Sequence, residues 1–86
     1  MNEIVHEKVS VISSYNRENG EVFPRKMRWQ GRDIVFTKMT YFYKKREGRN
    51  IVHIFHVTNG AMDFKLSLDT DNLHWMLEEV TDGNTT

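Results

Sequence analysis

The side chains best suited to chemistry in this chain are cations and aromatic rings that lie close together in the sequence. Lysine and arginine neutralise phosphates, and tyrosine rings stack on bases, which is how small β-barrels hold single-stranded nucleic acid. We predict nucleic-acid contacts by Lys26, Arg28, Arg32, Tyr41, Tyr43, Lys44, Lys45, Arg46 and Arg49. The same cations are typical of solvated strand edges and loops, or of a surface that meets a protein partner.

Charge is segregated along the chain. Residues 16–50 hold ten Lys and Arg against four Asp and Glu, a balance of 10 − 4 = +6, and the other residues hold two against eight, or −6. The net charge is therefore zero. Any attraction to a polyanion must come from the basic segment and not from the protein as a whole.

The histidine spacing argues against a metal site. His53 and His56 are three residues apart, which places them on opposite faces of a strand. We expect His53 to be a neutral, hydrogen-bonded core residue. His56 is expected to lie opposite Asp63 as an exposed cross-strand pair. His74 is expected to face Asp69 in the same way.

The remaining polar residues do not predict a reaction. No serine or threonine lies in a recognisable nucleophile motif, and the five glycines are scattered instead of forming a phosphate-binding loop. Asp69 and Asp71 have the spacing of a calcium loop, but its central glycine and final glutamate are missing. We therefore predict a protein that is not an enzyme, with no catalytic residue and no cofactor.

Size and composition predict one domain in a reducing compartment. Eighty-six residues suffice for a single modest core, which we place in residues 1–80, with a disordered tail at 81–86. The absence of cysteine excludes disulfides and favours the cytoplasm. Charged residues interrupt the N-terminus, so it predicts no signal peptide, and the longest uncharged stretch, 50–62, is too short to span a membrane.

Turn dipeptides predict antiparallel hairpins. Asn59–Gly60 favours a two-residue type I′ turn that would place Phe55 opposite Phe64. A turn at Asp71–Asn72 would pair Leu68 with Trp75, Leu66 with Leu77 and Lys65 with Glu78. Residues 73–80 also fit a helical stripe, so a helix remains the alternative there.

Two further turns extend the pattern upstream. Gly31 in a type II′ turn would pair Trp29 with Ile34 and Met27 with Phe36. One strand is then expected from Ile34 to Tyr43. A turn around Glu47–Gly48 would set Phe42 against His53 and Thr40 against Phe55.

The resulting sheet has a second apolar face. Its members are Val35, Met39, Tyr41, Tyr43, Val52, Ile54 and Met76. Either the N-terminal strand Ile4–Ile12 covers this face, or the sheet curls, or the face is an open binding surface. We predict an all-β fold, a small antiparallel meander of five or six strands that forms a barrel or a strongly bent half-barrel.

Part of the chain resembles a known family. The residues that carry the resemblance, within residues 22–80, are Pro24, Trp29-x-Gly31-Arg32-x-Ile34-x-Phe36, Phe64-x-Leu66-x-Leu68-Asp69 and Trp75-x-Leu77-x-x-Val80. They resemble a small bacterial β-domain of unknown function, found alone or appended to proteins related to Y-family translesion DNA polymerases. The histidine-rich strand Ile51–Thr58 does not match that family.

The resemblance implies an accessory β-domain near DNA metabolism with no catalytic residues to transfer. It adds to the prediction, made from the basic and aromatic residues, that the partner is single-stranded or duplex nucleic acid. The alternative hypothesis is a protein-interaction or homodimerisation module that uses the second apolar face.

Overall fold

The computed structural model describes residues 2–82, which form eight β-strands. They are β1 Asn2–Lys8, β2 Ser10–Asn16, β3 Glu21–Trp29, β4 Arg32–Val35, β5 Lys38–Glu47, β6 Asn50–Thr58, β7 Met62–Asp69 and β8 Trp75–Asp82. A five-stranded antiparallel sheet has the order β1-β8-β7-β6-β5, and a three-stranded sheet has the order β2-β3-β4. The predicted all-β class is confirmed. The pairings define two sheets and not a closed barrel, so barrel closure stays a prediction.

Two segments pass from one sheet to the other. The Phe36 amide donates to Arg25 in the three-stranded sheet, at 2.8 Å, and the next amide, Thr37, donates to Thr58 in the five-stranded sheet, also at 2.8 Å. The single strand expected from Ile34 to Tyr43 is therefore wrong, because consecutive amides bond to different sheets. Residues 2–16 likewise form two strands, β1 in the five-stranded sheet and β2 in the three-stranded sheet. These two divisions raise the number of strands from six to eight.

The core lies between the two sheets. Phe55, Leu66 and Leu77 of the five-stranded sheet are each 0% exposed. Met27 and Trp29, alternate residues of β3, pack against them from the three-stranded sheet. Each such side chain contributes about 1.5–3 kcal/mol through burial. The outer faces of the two sheets therefore point away from each other.

The β6–β7 hairpin has a wider loop than the sequence predicts. Phe55 faces Leu66 instead of Phe64, a shift of two residues, and Thr58 faces Asp63. The cause is the Asn59 side chain, whose Oδ1 accepts hydrogen bonds from the amides of residues 61 and 62, at 2.9 and 2.8 Å. A shift of two keeps every side chain on its predicted face.

The β3–β4 hairpin is also displaced by two residues. Gln30 and Gly31 both have positive φ, 53° and 73°, so they are the two central residues of the turn. Trp29 consequently faces Arg32, and Met27 faces Ile34. The type II′ turn predicted with Gly31 in the first position is wrong, because Gln30 takes that position in the left-handed conformation.

The β5–β6 hairpin turns at Gly48–Arg49 and not at Glu47–Gly48. Gly48 has φ 63°, and Glu47 faces Asn50 across the turn. Phe42 therefore faces Phe55 instead of His53.

A β-bulge further changes the course of β5. Met39 faces Val57 but Tyr41 faces His56, so Thr40 is the extra residue. The Thr40 hydroxyl donates to the His56 carbonyl at 3.2 Å. The bulge turns Met39 inward, where it packs on the core, so its predicted place on the second apolar face is wrong.

The last strand settles the choice between helix and strand at residues 73–80. β8 pairs with β7, and the predicted pairs Leu68–Trp75 and Leu66–Leu77 are confirmed. Lys65 faces Glu79 and not Glu78, because Glu78 is the extra residue of a bulge. β8 also runs to Asp82, so it includes the first two residues of the expected tail, and residues 83–86 lie outside the described range.

The outer face of the five-stranded sheet is covered at its centre. Val52 and Ile54 are only 5% and 2% exposed, although no second sheet lies over them. The N-terminal strand does not cross this face, because β1 pairs with β8 at the sheet edge. Side chains from both edges, including Ile4 and His6 of β1 and Lys45 of β5, instead line a trough of about 270 Å³ above it.

Candidate nucleic-acid interface

The β5–β6 hairpin carries tyrosine rings on one side of β5 and cations on the other side and in the turn. Along β5, Tyr41 and Tyr43 point to the outer face, and the alternating residues Lys44 and Arg46 belong to the opposite side of the strand. Arg49 lies in the turn and is exposed. One strand and its turn therefore carry two exposed or half-exposed tyrosines and three exposed cations.

Three rings form a contiguous cluster, which we call the ring cluster: Tyr41, Tyr43 and His56. The ring centroids of Tyr41 and Tyr43 are 5.4 Å apart. His56 lies 5.8 Å from Tyr41 and 6.0 Å from Tyr43, and it is stacked on Tyr43 at 30°. Tyr41 is 60% exposed, so its ring is open to a stacking partner.

The predicted cations differ in their ion pairing. Arg28 is 3.0 Å and Lys26 is 4.0 Å from the same carboxylate, that of Asp33. Lys45 is 3.1 Å from Glu47. Within residues 2–82, no carboxylate lies within 4 Å of the remaining predicted cations, which are Arg32, Lys44, Arg46 and Arg49.

The two predicted basic clusters do not share a face. Lys26 and Arg28 alternate with the core residues Met27 and Trp29, so they lie on the outer face of the three-stranded sheet. The tyrosines lie on the outer face of the other sheet. The arrangement in which Lys26 and Arg28 flank Tyr41 and Tyr43 is not formed.

His53 and His56 lie on opposite faces of β6. His53 contacts Phe42, with centroids 5.6 Å apart, and is only half-buried instead of being the core residue expected. Burial lowers the pKa of both histidines, and the positive charges of Lys44, for His53, and Lys65, for His56, lower it further. Both rings are thus favoured in the neutral form.

The expected partner of His56 is wrong, whereas His74 is placed as predicted. His56 faces Lys65 and not Asp63, because the β6–β7 register is shifted by two. The Asp69 amide donates to the carbonyl of His74 at 3.1 Å, which confirms that these two residues are opposite each other.

The trough on the outer face also contains a hydrogen-bonded set of side chains, formed by Glu78, Ser67 and His6. One oxygen of the Glu78 carboxylate accepts from Ser67 Oγ at 2.6 Å, and the other is 2.7 Å from Nδ1 of His6. His6 has φ 49°, a strained value for a histidine at a bulge. In a Ser–His nucleophile pair the histidine lies beside the hydroxyl, whereas here the carboxylate lies between the two, so the group does not form such a pair.

The Glu78 environment changes the pKa of both partners. The hydrogen bond to Glu78, and then its negative charge, raise the pKa of His6. Burial raises the pKa of Glu78, but hydrogen bonds from Ser67 and His6 outweigh that effect and lower it below its ordinary value. The pair is therefore favoured as imidazolium and carboxylate, and it links β1 to β8.

The described part of the chain contains no group of three or more His, Cys, Asp or Glu side chains that could hold a metal ion. Nor do residues 2–82 include a helix long and apolar enough to cross a membrane. Comparisons of the chain with protein-family models, curated proteins and solved structures gave no match.

Two residues of the interface were missed from the sequence. His56 joins the ring cluster, and Lys65 lies opposite it on the next strand. The predicted register set Tyr41 and Tyr43 against apolar residues of β6. Had the turn been placed at Gly48–Arg49, where glycine supplies the positive φ, Tyr41 would have been paired with His56.

Proposed function

We propose that this chain is a non-enzymatic β-domain that binds single-stranded nucleic acid through the β5–β6 hairpin. The observation that supports this function best is the ring cluster on one side of β5, together with cations on the other side of that strand and in its turn that have no carboxylate within 4 Å in residues 2–82. Bases stack on Tyr41 and Tyr43, and Lys44, Arg46 and Arg49 contact phosphates. Base stacking contributes about 1–3 kcal/mol per base and tolerates any sequence, because every base has a π-face.

Single strands fit this surface better than duplex does. The exposed ring of Tyr41 lies on a sheet face, where it can stack only on bases that are not already stacked in a helix. Lys26 and Arg28 are left out of the interface, because they lie on the outer face of the other sheet, where the carboxylate of Asp33 offsets one of their two charges. Arg32 is exposed, but it lies on the same hairpin as those two residues and not beside the rings.

The resemblance to the bacterial β-domain family supports a place in DNA metabolism, since that family occurs beside relatives of Y-family polymerases. The rival hypothesis of a protein-interaction or homodimerisation module has less support. It requires an open apolar patch on the outer face, whereas Val52 and Ile54 there are buried.

Fluorescence anisotropy with a labelled oligothymidylate of about 12 nucleotides tests the proposal. At about 50 mM salt we expect micromolar binding, with a duplex of equal length bound about tenfold more weakly. An absence of binding at this salt concentration would contradict the proposed function. Preference for duplex would contradict the stacking role of the rings.

A further inference from the structure

Two strand edges face each other across a gap between the sheets. β3 pairs with β2 from Glu21 onward, but its pairing with β4 is confined to Lys26–Trp29, so no strand within residues 2–82 lies beside the other edge of residues 21–24. β5 pairs with β6 alone and is an edge strand along its ten residues. We call the gap between these two edges the seam.

The seam encloses a cleft with an apolar lining. Its volume is about 320 Å³, and its walls come from the β2–β3 turn and β3 on one side and from β5 and β6 on the other. Val22 and Met39 are half-buried, and Phe42 is 38% exposed. His53 also lines the cleft and, with its lowered pKa, is favoured as a neutral ring. The cleft therefore accepts apolar side chains next to two strand edges.

The charge of the seam selects among possible strands. Lys44 lines the cleft, Arg46 lies on the same side of β5, and Glu21 is the acidic residue among the side chains that line the cleft. In the described chain neither cation has a carboxylate within 4 Å. A second copy of β5 would set like charges against each other, which is destabilising. An acidic strand would be complementary.

We propose that the seam docks an extended acidic peptide segment, which adds as a strand along β5. Its backbone pairs with the free edge of β5. Because Phe42, Lys44 and Arg46 lie on one side of β5, every second side chain of the added strand points to them: an apolar one enters the cleft beside Phe42, and acidic ones meet Lys44 and Arg46. Strand addition of this kind obtains affinity from main-chain hydrogen bonds and specificity from alternate side chains. This role shares Lys44 and Arg46 with the proposed nucleic-acid interface, but it goes beyond nucleic-acid binding because it uses the backbone edge of β5 and the cleft beside Phe42, and not the tyrosines.

The probe is a capped octapeptide in which one valine and two glutamates occupy three successive alternate positions, with threonine at the other positions. Isothermal titration calorimetry is expected to give micromolar binding, and the same peptide with N-methyl groups at alternate backbone nitrogens should bind at least about tenfold more weakly. Equal binding of the two peptides would overturn the proposal, because charge alone would then explain the affinity. An absence of binding by the unmodified peptide would overturn it as well.

Amide hydrogen exchange locates the contact. Protection is expected at β5 amides that point away from β6 and at residues 21–24. Protection confined to other strands would overturn the proposal.

A pair of neutralising variants then tests the charge complementarity. Lys44→Gln with Arg46→Gln should weaken peptide binding about tenfold, whereas Lys26→Gln with Arg28→Gln, the matched change on the other sheet, should alter it less than about twofold. Equal losses from the two pairs would overturn the role of the seam. If the first pair fails to fold, the N-methyl comparison on the unmodified protein decides the question.

Discussion

The β3–β4 and β5–β6 hairpins are both basic and both turn through two residues, yet they differ in what their cations can do. In β3–β4, one aspartate, Asp33, takes both Lys26 and Arg28. In β5–β6, Lys44 and Arg46 have no such carboxylate in the described chain. The number of cations in a segment therefore does not give its available charge. A single acid on the facing strand offsets part of it.

The largest expected effect is on the free energy of unfolding, which an aromatic-to-alanine substitution should lower much more in the β3–β4 hairpin than in the β5–β6 hairpin. Trp29 of β3 is 8% exposed, belongs to the core and donates from Nε1 to Glu7 at 3.3 Å. Trp29→Ala should lower the free energy of unfolding by about 3–5 kcal/mol, because it leaves a large cavity. Tyr41→Ala, on the exposed face of β5, should change it by less than about 1 kcal/mol. Urea denaturation measures both, and similar losses would contradict the contrast.

The next effect concerns charge. Lys44→Gln with Arg46→Gln should weaken oligothymidylate binding about 100-fold, because two phosphate contacts are lost. Lys26→Gln with Arg28→Gln removes the same formal charge and should cost less than about threefold. Anisotropy titrations at one salt concentration compare the two pairs. Equal losses would mean that total charge, and not the β5–β6 hairpin, attracts the nucleic acid.

A smaller effect isolates stacking from charge. Tyr41→Ala removes an exposed ring without changing the net charge, and it should weaken binding of the single strand about tenfold. Tyr41→Phe retains the ring and should bind within about twofold of the original protein. If the phenylalanine variant loses as much as the alanine variant, the hydroxyl and not the ring makes the contact.

The smallest expected effect is a pH dependence of stability from His6 and Glu78. The raised pKa of His6 stabilises the fold below its ordinary value of 6.5, and this contribution is lost as pH rises through the folded-state pKa. The lowered pKa of Glu78 stabilises above its ordinary value of 4.5 and is lost as pH falls through the folded-state pKa. The contribution of the pair is therefore greatest between these two values.

Thermal melting of His6→Asn tests this dependence, since asparagine tolerates the positive φ of residue 6. The deficit in melting temperature relative to the original protein should be larger at about pH 6 than at about pH 8.5. His74→Asn, at an exposed histidine without a carboxylate within 4 Å in residues 2–82, is the control. A deficit independent of pH would assign His6 a purely conformational role.

The sequence predicted the sheet face of each side chain better than it predicted which residues are paired across neighbouring strands. Alternation of apolar residues placed Phe55, Phe64 and Leu66 on the core side, and a shift of two residues preserves such placements. The shift itself arises from the side chain of Asn59 and the left-handed Gln30, which are local choices between turns of similar energy. Residue preferences for turns do not distinguish such alternatives.

Bulges limited the prediction of the site. Thr40 and Glu78 interrupt β5 and β8, and neither residue type marks a bulge in the sequence. Packing on both faces of the finished sheet selects their positions. The bulge at Thr40 moved Met39 off the outer face, whereas His56, the neighbour that completes the ring cluster, was missed because the turn was placed at Glu47–Gly48 and not at Gly48–Arg49.

The salt dependence of oligothymidylate binding tests the central claim most directly. Phosphate contacts by Lys44, Arg46 and Arg49 predict that the logarithm of the association constant falls with the logarithm of salt concentration with a slope of about −2. In Lys44→Gln with Arg46→Gln the slope should shrink to about −0.7. A slope near zero, or the same slope in both proteins, would contradict nucleic-acid binding through the β5–β6 hairpin.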